Sequence, residues 1–257
     1  MISLQQQRGF SLVELSVVIL VLGLLLGGLM GPLSAQRENA RLKDAKEQLD
    51  SVRTSIEGFA LANGHLPCPA TPASGGSAAL APGACAVQHG FVPATTLDLN
   101  GQRNADNLLL DPWGSPLRYS VSASDANSDG TWDFVTAGEM RTVTMPLLQP
   151  EIVVCNAAAG SSPTACASAA TTVADGATAI VFSLGKDWAT FSSPDQLENV
   201  GTNLGGGPSG TTYRVASDRV FVDRGRSDLT GSEYDDLLLW IPPAQLYGRL
   251  VQTGYLP

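Results

Sequence analysis

From Phe10 to Met30 the chain is almost uniformly apolar, and Leu, Val, Ile, Gly and Met surround a single charge, Glu14. At about 1.5 Å per residue a helix over this run reaches about 30 Å, the depth of a bilayer's hydrocarbon. A run that is apolar on every face does not fit the surface of a soluble domain. After Pro32 the pattern changes. Leu42, Ala45, Leu49, Val52, Ile56 and Phe59 recur at steps of three and four, with Arg41, Lys43, Asp44, Lys46, Glu47 and Asp50 falling elsewhere. That spacing predicts an amphipathic helix. Asn63-Gly64, followed by Pro67, stops it. One long helix is therefore expected from about Phe10 to Ala62. Gly23, Gly27, Gly28 and Gly31-Pro32 are its weak points, since glycine lowers helix propensity and proline removes a hydrogen bond.

Beyond the helix the periodicity shortens. Residues 68–90 read as a low-complexity loop. Short runs rich in β-branched and aromatic residues predict strands at Leu117–Ser122, Thr131–Thr136, Arg141–Met145, Glu151–Cys155, Thr178–Leu184, Tyr213–Ala216, Arg219–Asp223 and Asp236–Ile241. Residues 156–177 and 200–211 read as loops, and Pro242-Pro243 opens a closing helix over Ala244–Thr253. No internal repeat is present.

Composition narrows the class. Only 15% of residues are charged and the net charge is −9. An acidic chain without clustered Lys and Arg is a poor nucleic-acid binder, so no nucleic-acid partner is expected. Four cysteines, Cys68, Cys85, Cys155 and Cys166, lie beyond the apolar helix. An even count fits two disulfides in an oxidising compartment. Three pairings are possible. The local ones, Cys68–Cys85 and Cys155–Cys166, are favoured because each closes a Gly/Ala/Ser/Pro-rich loop with little else to order it, for about 3 kcal/mol each.

Glu14 is costly where it stands, by about 2.5–3.5 kcal/mol at a bilayer centre and less near an interface. Gly9-Phe10, then Glu14, then the apolar run resembles the type IV pilin and pseudopilin family. The resemblance implies cleavage between Gly9 and Phe10 by a prepilin peptidase and N-methylation of Phe10. It also implies that Glu14 neutralises the terminal amine of a neighbouring subunit. Two opposite charges in low dielectric stabilise each other, whereas either alone is expensive. A secretory signal has a shorter apolar core, about 7–15 residues, and a better cleavage site than Gly31–Ala35. A simple signal anchor needs neither Gly9 nor Glu14. Arg8 precedes the run and Arg37, Arg41, Lys43 and Lys46 follow it, so charge does not orient the segment and the resemblance alone places the leader inside.

Two further stretches carry the resemblance. Asp111-Pro112-Trp113-Gly114-Ser115-Pro116 with Tyr119 looks like the Asp-Pro-Trp-Gly segment of major pseudopilins of type II secretion. Ile180-Val181-Phe182-Ser183-Leu184-Gly185-Lys186-Asp187 resembles a strand and turn of large prepilin-like proteins. Physically the first is a β-turn with Pro at its second position and Trp113 as its core anchor. The fold implied is α+β, a long transmembrane and amphipathic helix on a mainly antiparallel sheet. Its parts would be a leader (1–9), a transmembrane helix (10–32), an amphipathic helix (33–63) and a β-rich periplasmic domain (64–257). The partners implied are the prepilin peptidase, other pilin or pseudopilin subunits, the inner-membrane assembly platform and the membrane itself. The length and the extra cysteine loops point to a minor subunit.

Candidate chemistry is sparse. Asp125, Asn127, Asp129, Thr131 and Asp133 put oxygens at alternate positions around Gly130, as in the first part of a calcium loop. Position twelve would be Thr136 rather than Glu, so this is no EF-hand. The same residues also describe an Asx turn with no metal. His65, Cys68, Cys85 and His89 form a zinc set on paper, in competition with a disulfide. Asp223, Asp228, Glu233, Asp235 and Asp236 read as a solvated acidic loop. No nucleophile elbow, phosphate loop or His-Glu-x-x-His motif is present, and a structural role is expected rather than catalysis. A pseudopilin of type II secretion is one rival reading. A membrane-anchored periplasmic binding or enzymatic domain is the other.

Overall fold

The structure, a computed structural model, describes residues 11–190, 193–201, 214 and 218–256, with the side chains of 26–33 excepted. The processing pair Gly9-Phe10 lies outside these residues, as does nearly all of the predicted strand Tyr213–Ala216. The chain divides into two compact units, Met1–Lys43 and Asp44–Pro257.

A single helix, α1 (Leu12–Asn63), runs unbroken through Gly31-Pro32. Gly64 ends it with φ +76°, and its N–H donates to Ala60 O (2.8 Å). A Cβ at Gly64 would sit 2.6 Å from the Tyr255 ring, so glycine is required there twice over. Among the described residues no helix is both long and apolar enough to cross a membrane.

The second unit is layered helix on sheet on sheet. Its elements are β1 (Leu80–Ala81), β2 (Ala84–Cys85), β3 (His89–Phe91), β4 (Arg118–Val121), α2 (Glu139–Val143), β5 (Ile152–Cys155), β6 (Thr172–Ala177), β7 (Ala179–Ser183), α3 (Pro194–Val200), β8 (Val220–Val222), β9 (Leu237–Ile241) and α4 (Pro243–Gln252). Strands β3-β4-β7-β9 form an antiparallel sheet in that order. Register sorts its faces. Tyr119 pairs with Val181, and Val121 and Ile241 both pair with Ala179; these side chains turn toward α1. On α1, Ala45, Leu49, Val52, Ile56 and Ala60 are buried, and the last four join that core. Each large aliphatic side chain so enclosed contributes roughly 1.5–3 kcal/mol. Leu42 and Phe59, at the ends of the expected stripe, stay half-buried.

The opposite face carries Ile180, Phe182 and Leu238, which meet Ile152, Val154, Phe221 and Val222 of a second sheet. That sheet has the order β6-β5-β8, with β5 antiparallel to β6 and parallel to β8. Because β7 is covered on both sides, its sequence is a continuous apolar run rather than an alternation. The closing helix docks back onto α1. Leu246 and Leu250 enter the core, while Glu57, itself buried, receives Gln245 Nε2 (2.6 Å) and Arg249 Nη1 (2.7 Å).

Two predicted strands are corrected. Residues 131–136 form turns, because Trp132 N donates to Gly83 O (2.8 Å) and Asp133 N to Ser124 O (2.8 Å) instead of to a ladder. Arg141–Met145 overlaps α2, which Gly138 opens at φ +85° and Thr144 closes at φ +69°. The loops expected at 68–90 and 156–177 contain β1, β2, the start of β3, and β6.

Candidate functional site

Every described side chain from Ser11 to Leu25 is exposed in the isolated chain. Leu12 (84%) and Leu24 (70%) are almost as open as in an extended peptide. An apolar surface of this extent marks contact with lipid or with another protein. At its start, Ser11 and Glu14 cap the helix reciprocally. Glu14 N donates to Ser11 Oγ (3.2 Å) and Ser11 N to Glu14 Oε2 (3.1 Å), while Leu15 N makes the first helical bond to Ser11 O (3.2 Å). This is the Ser-x-x-Glu capping box, which satisfies two otherwise orphaned amides. Its carboxylate also faces the positive end of the helix dipole. The expectation for Glu14 concerned a partner's amine. Its bond within its own helix is a separate role, which the Ser11-x-x-Glu14 spacing carries by itself.

The two family-like turns are bolted together. Asp111 is buried, and its Oδ1 accepts from Trp113 N and Ser115 N (both 2.9 Å) while its Oδ2 accepts from Ser183 Oγ (2.5 Å). Ser183 Oγ in turn accepts from Gly185 N (3.1 Å), and Trp188 Nε1 donates to Trp113 O (3.3 Å). Burial raises the Asp111 carboxyl above its usual value against the pull of these donors. The buried anchor of the turn is therefore Asp111. Trp113 is only half-buried, a correction to the reading of its ring as the anchor.

Both disulfides are local: Cys68–Cys85 and Cys155–Cys166. With both its sulfurs in a disulfide the zinc set does not exist. His65 Nδ1 instead meets Leu66 O (2.9 Å) and His89 Nδ1 meets Ser120 Oγ (2.9 Å).

In the loop around Gly130, Asp125 accepts from Asp129 N (3.0 Å) and Gly130 N (2.8 Å), and Asp129 accepts from Thr131 N (2.8 Å). These are Asx-type closures. Asp133 is buried and bound by Ser124 Oγ (2.7 Å), while Asn127 Nδ2 reaches both Asp129 (2.9 Å) and Glu139 (2.9 Å). The Glu139 carboxyl is pushed up by burial and then by the charge of Asp129. Among the described residues no three His, Cys, Asp or Glu side chains converge closely enough to hold a metal ion.

The acidic stretch before β9 is not merely solvated. Asp235 accepts from Lys186 N (2.7 Å) and shares Gln196 Nε2 (3.1 Å) with Asp187 (2.7 Å). Asp236 is buried and accepts from Asn199 Nδ2 (2.6 Å). Nothing in the sequence alone joined α3 to these acids.

Two comparisons with known proteins find likenesses, one of them over the start of this helix. The family model described as the prokaryotic N-terminal methylation motif matches residues 4–30. The type II secretion system core protein G of Escherichia coli (strain K12) is 25% identical over 133 residues, which cover 52% of this chain and 82% of that protein. Both likenesses point to the type IV pilin and pseudopilin family, which the motif at the start of the chain resembles. No solved structure matches it. This chain carries more sequence than core protein G, whose match accounts for barely half of it.

Proposed function

We propose that this chain is a minor subunit of a type IV pilus-like filament. It is cut after Gly9 by a prepilin peptidase, N-methylated on Phe10 and held in the inner membrane by the apolar run. Its globular unit faces the periplasm, and other subunits and an inner-membrane platform assemble it. The observation that carries this reading is the exposed apolar helix from Leu12, with one acid held at its N-terminus by the capping box. Such a surface is stable only when lipid or the helices of other subunits cover it. The length beyond the match to core protein G and the two disulfide loops favour a minor subunit. Mass spectrometry of the purified protein should find a chain starting at methylated Phe10. An intact Met1 end would instead support the membrane anchor that never polymerises.

A pseudopilin of type II secretion is the second reading. The similarity to core protein G favours it, as does the Asp111–Gly114 turn. Deletion of this chain should then block secretion rather than surface pili.

Calcium at Asp125, Asn127, Asp129, Thr131 and Asp133 is the ligand reading we carry. It is favoured by the crowding of negative charge that helps raise the Glu139 carboxyl. The ion would have to draw ligands away from the loop's own amides. Calcium should raise the thermal midpoint and a chelator reverse it, with Asp129→Asn abolishing the effect. An unchanged midpoint returns the loop to a plain Asx turn.

A further inference from the structure

The two disulfides sit in different surroundings. Cys68 (1% exposed) and Cys85 (5%) are both enclosed in the core between α1 and its sheet. Cys155, at the end of β5, is wholly enclosed. Its partner Cys166 is partly exposed, and the residues leading to it, Ser162 to Ala165, are open to solvent. Thiol–disulfide exchange proceeds by attack of a thiolate on one sulfur, so access to that sulfur decides which bond reacts in the folded protein.

We propose that Cys155–Cys166 is a thiol–disulfide exchange site entered at Sγ of Cys166, with a dithiol as its reductant. The attacking thiolate forms a mixed disulfide with Cys166 and expels the Cys155 sulfur as a thiolate, which takes up a proton inside the β5 end. The second thiol of the reductant then displaces Cys166. The protein is left with two thiols and the reductant with one disulfide, and the two electrons balance. Burial disfavours the Cys155 thiolate and slows its departure, and the same burial closes attack at Cys155 itself.

The loop that opens is tied elsewhere as well. Asn156 N donates to Thr171 O (2.9 Å), Ala158 N to Asp195 Oδ1 (2.8 Å) and Arg219 N to Pro163 O (2.7 Å). The backbone on either side of the bridge therefore stays in place when the bond breaks, and exchange is a local event rather than unfolding.

The test treats the full-length folded chain with dithiothreitol, then blocks free thiols with N-ethylmaleimide and maps them by mass spectrometry. Cys155 and Cys166 should open at least about tenfold faster than Cys68 and Cys85, in step with sulfur access. Brief exposure to glutathione should place the adduct on Cys166 rather than Cys155. Folded Cys155→Ser should be alkylated rapidly at Cys166, and folded Cys166→Ser should leave Cys155 unlabelled. Opening of both bridges together, opening of Cys68–Cys85 first, or no opening below the unfolding temperature would each overturn the proposal.

Discussion

Glu14 has two jobs that one substitution can separate. As the third residue of α1 it returns a hydrogen bond to the cap, and as a carboxylate it offers charge. Glutamine serves a capping box nearly as well as glutamate but carries no charge, and gives up about 0.3–1 kcal/mol of dipole interaction. Alanine removes both functions. If charge pairing drives assembly, Glu14→Gln and Glu14→Ala should both insert in the membrane and both fail to enter filaments. Normal incorporation of Glu14→Gln, scored by filament purification, would reduce Glu14 to a helix cap. The Ser-x-x-Glu spacing, like Asn63-Gly64, was legible because both are local rules of backbone satisfaction. The requirement for Gly64 to clear the Tyr255 ring was not, because it depends on a residue from the far end of the chain.

Ser183 joins two turns that the sequence shows only as separate motifs. Its hydroxyl donates to Asp111 Oδ2 (2.5 Å) and accepts from Gly185 N (3.1 Å) inside a buried site. Ser183→Ala would leave a buried carboxylate oxygen and a buried amide unsatisfied, each costing about 1–3 kcal/mol. The urea midpoint should fall accordingly, and a drop under about 0.5 kcal/mol, the ordinary surface range, would count against the link. At this scale strands were legible where both faces are covered. Ile152–Cys155, Ala179–Ser183, Val220–Val222 and Leu237–Ile241 are each dense in β-branched or large apolar residues. Thr131–Thr136 has the same composition yet turns, since its backbone donors go to Gly83 and Ser124. Strand β6, Thr-Val-Ala-Asp-Gly-Ala, was missed because an edge strand exposed along alternate positions needs no apolar face.

For the whole globular unit, charge and burial conflict. Asp111, Asp133, Glu198, Asp223 and Asp236 all lie above their usual values, each through burial first. Asp235 is pushed up to about 7, by burial and then by the hydrogen bond and charge of Asp187, against the donated amides of Lys186 and Asp187. No periodicity announces such a network, because Gln196 of α3 meets Asp235 across 39 residues. The sign follows from proton binding. Between the ordinary carboxylate value of 3.8 and about 7, the folded state keeps a proton on Asp235 that the unfolded chain has released. Its contribution is therefore complete below the lower limit and is lost as pH rises through the upper one. Urea unfolding should show a more stable protein at pH 5 than at pH 8. General repulsion in a chain of net charge −9 acts in the same direction as pH rises, so the wild-type slope alone does not assign the cause. Asp235→Asn isolates its share, because the substitution changes net charge by one unit but removes the raised carboxyl altogether. The difference between pH 5 and pH 8 should shrink in this variant. A slope equal to wild type would place the pH dependence in the other buried carboxyls and in general repulsion, and leave the Asp187–Asp235 pair without a part in it.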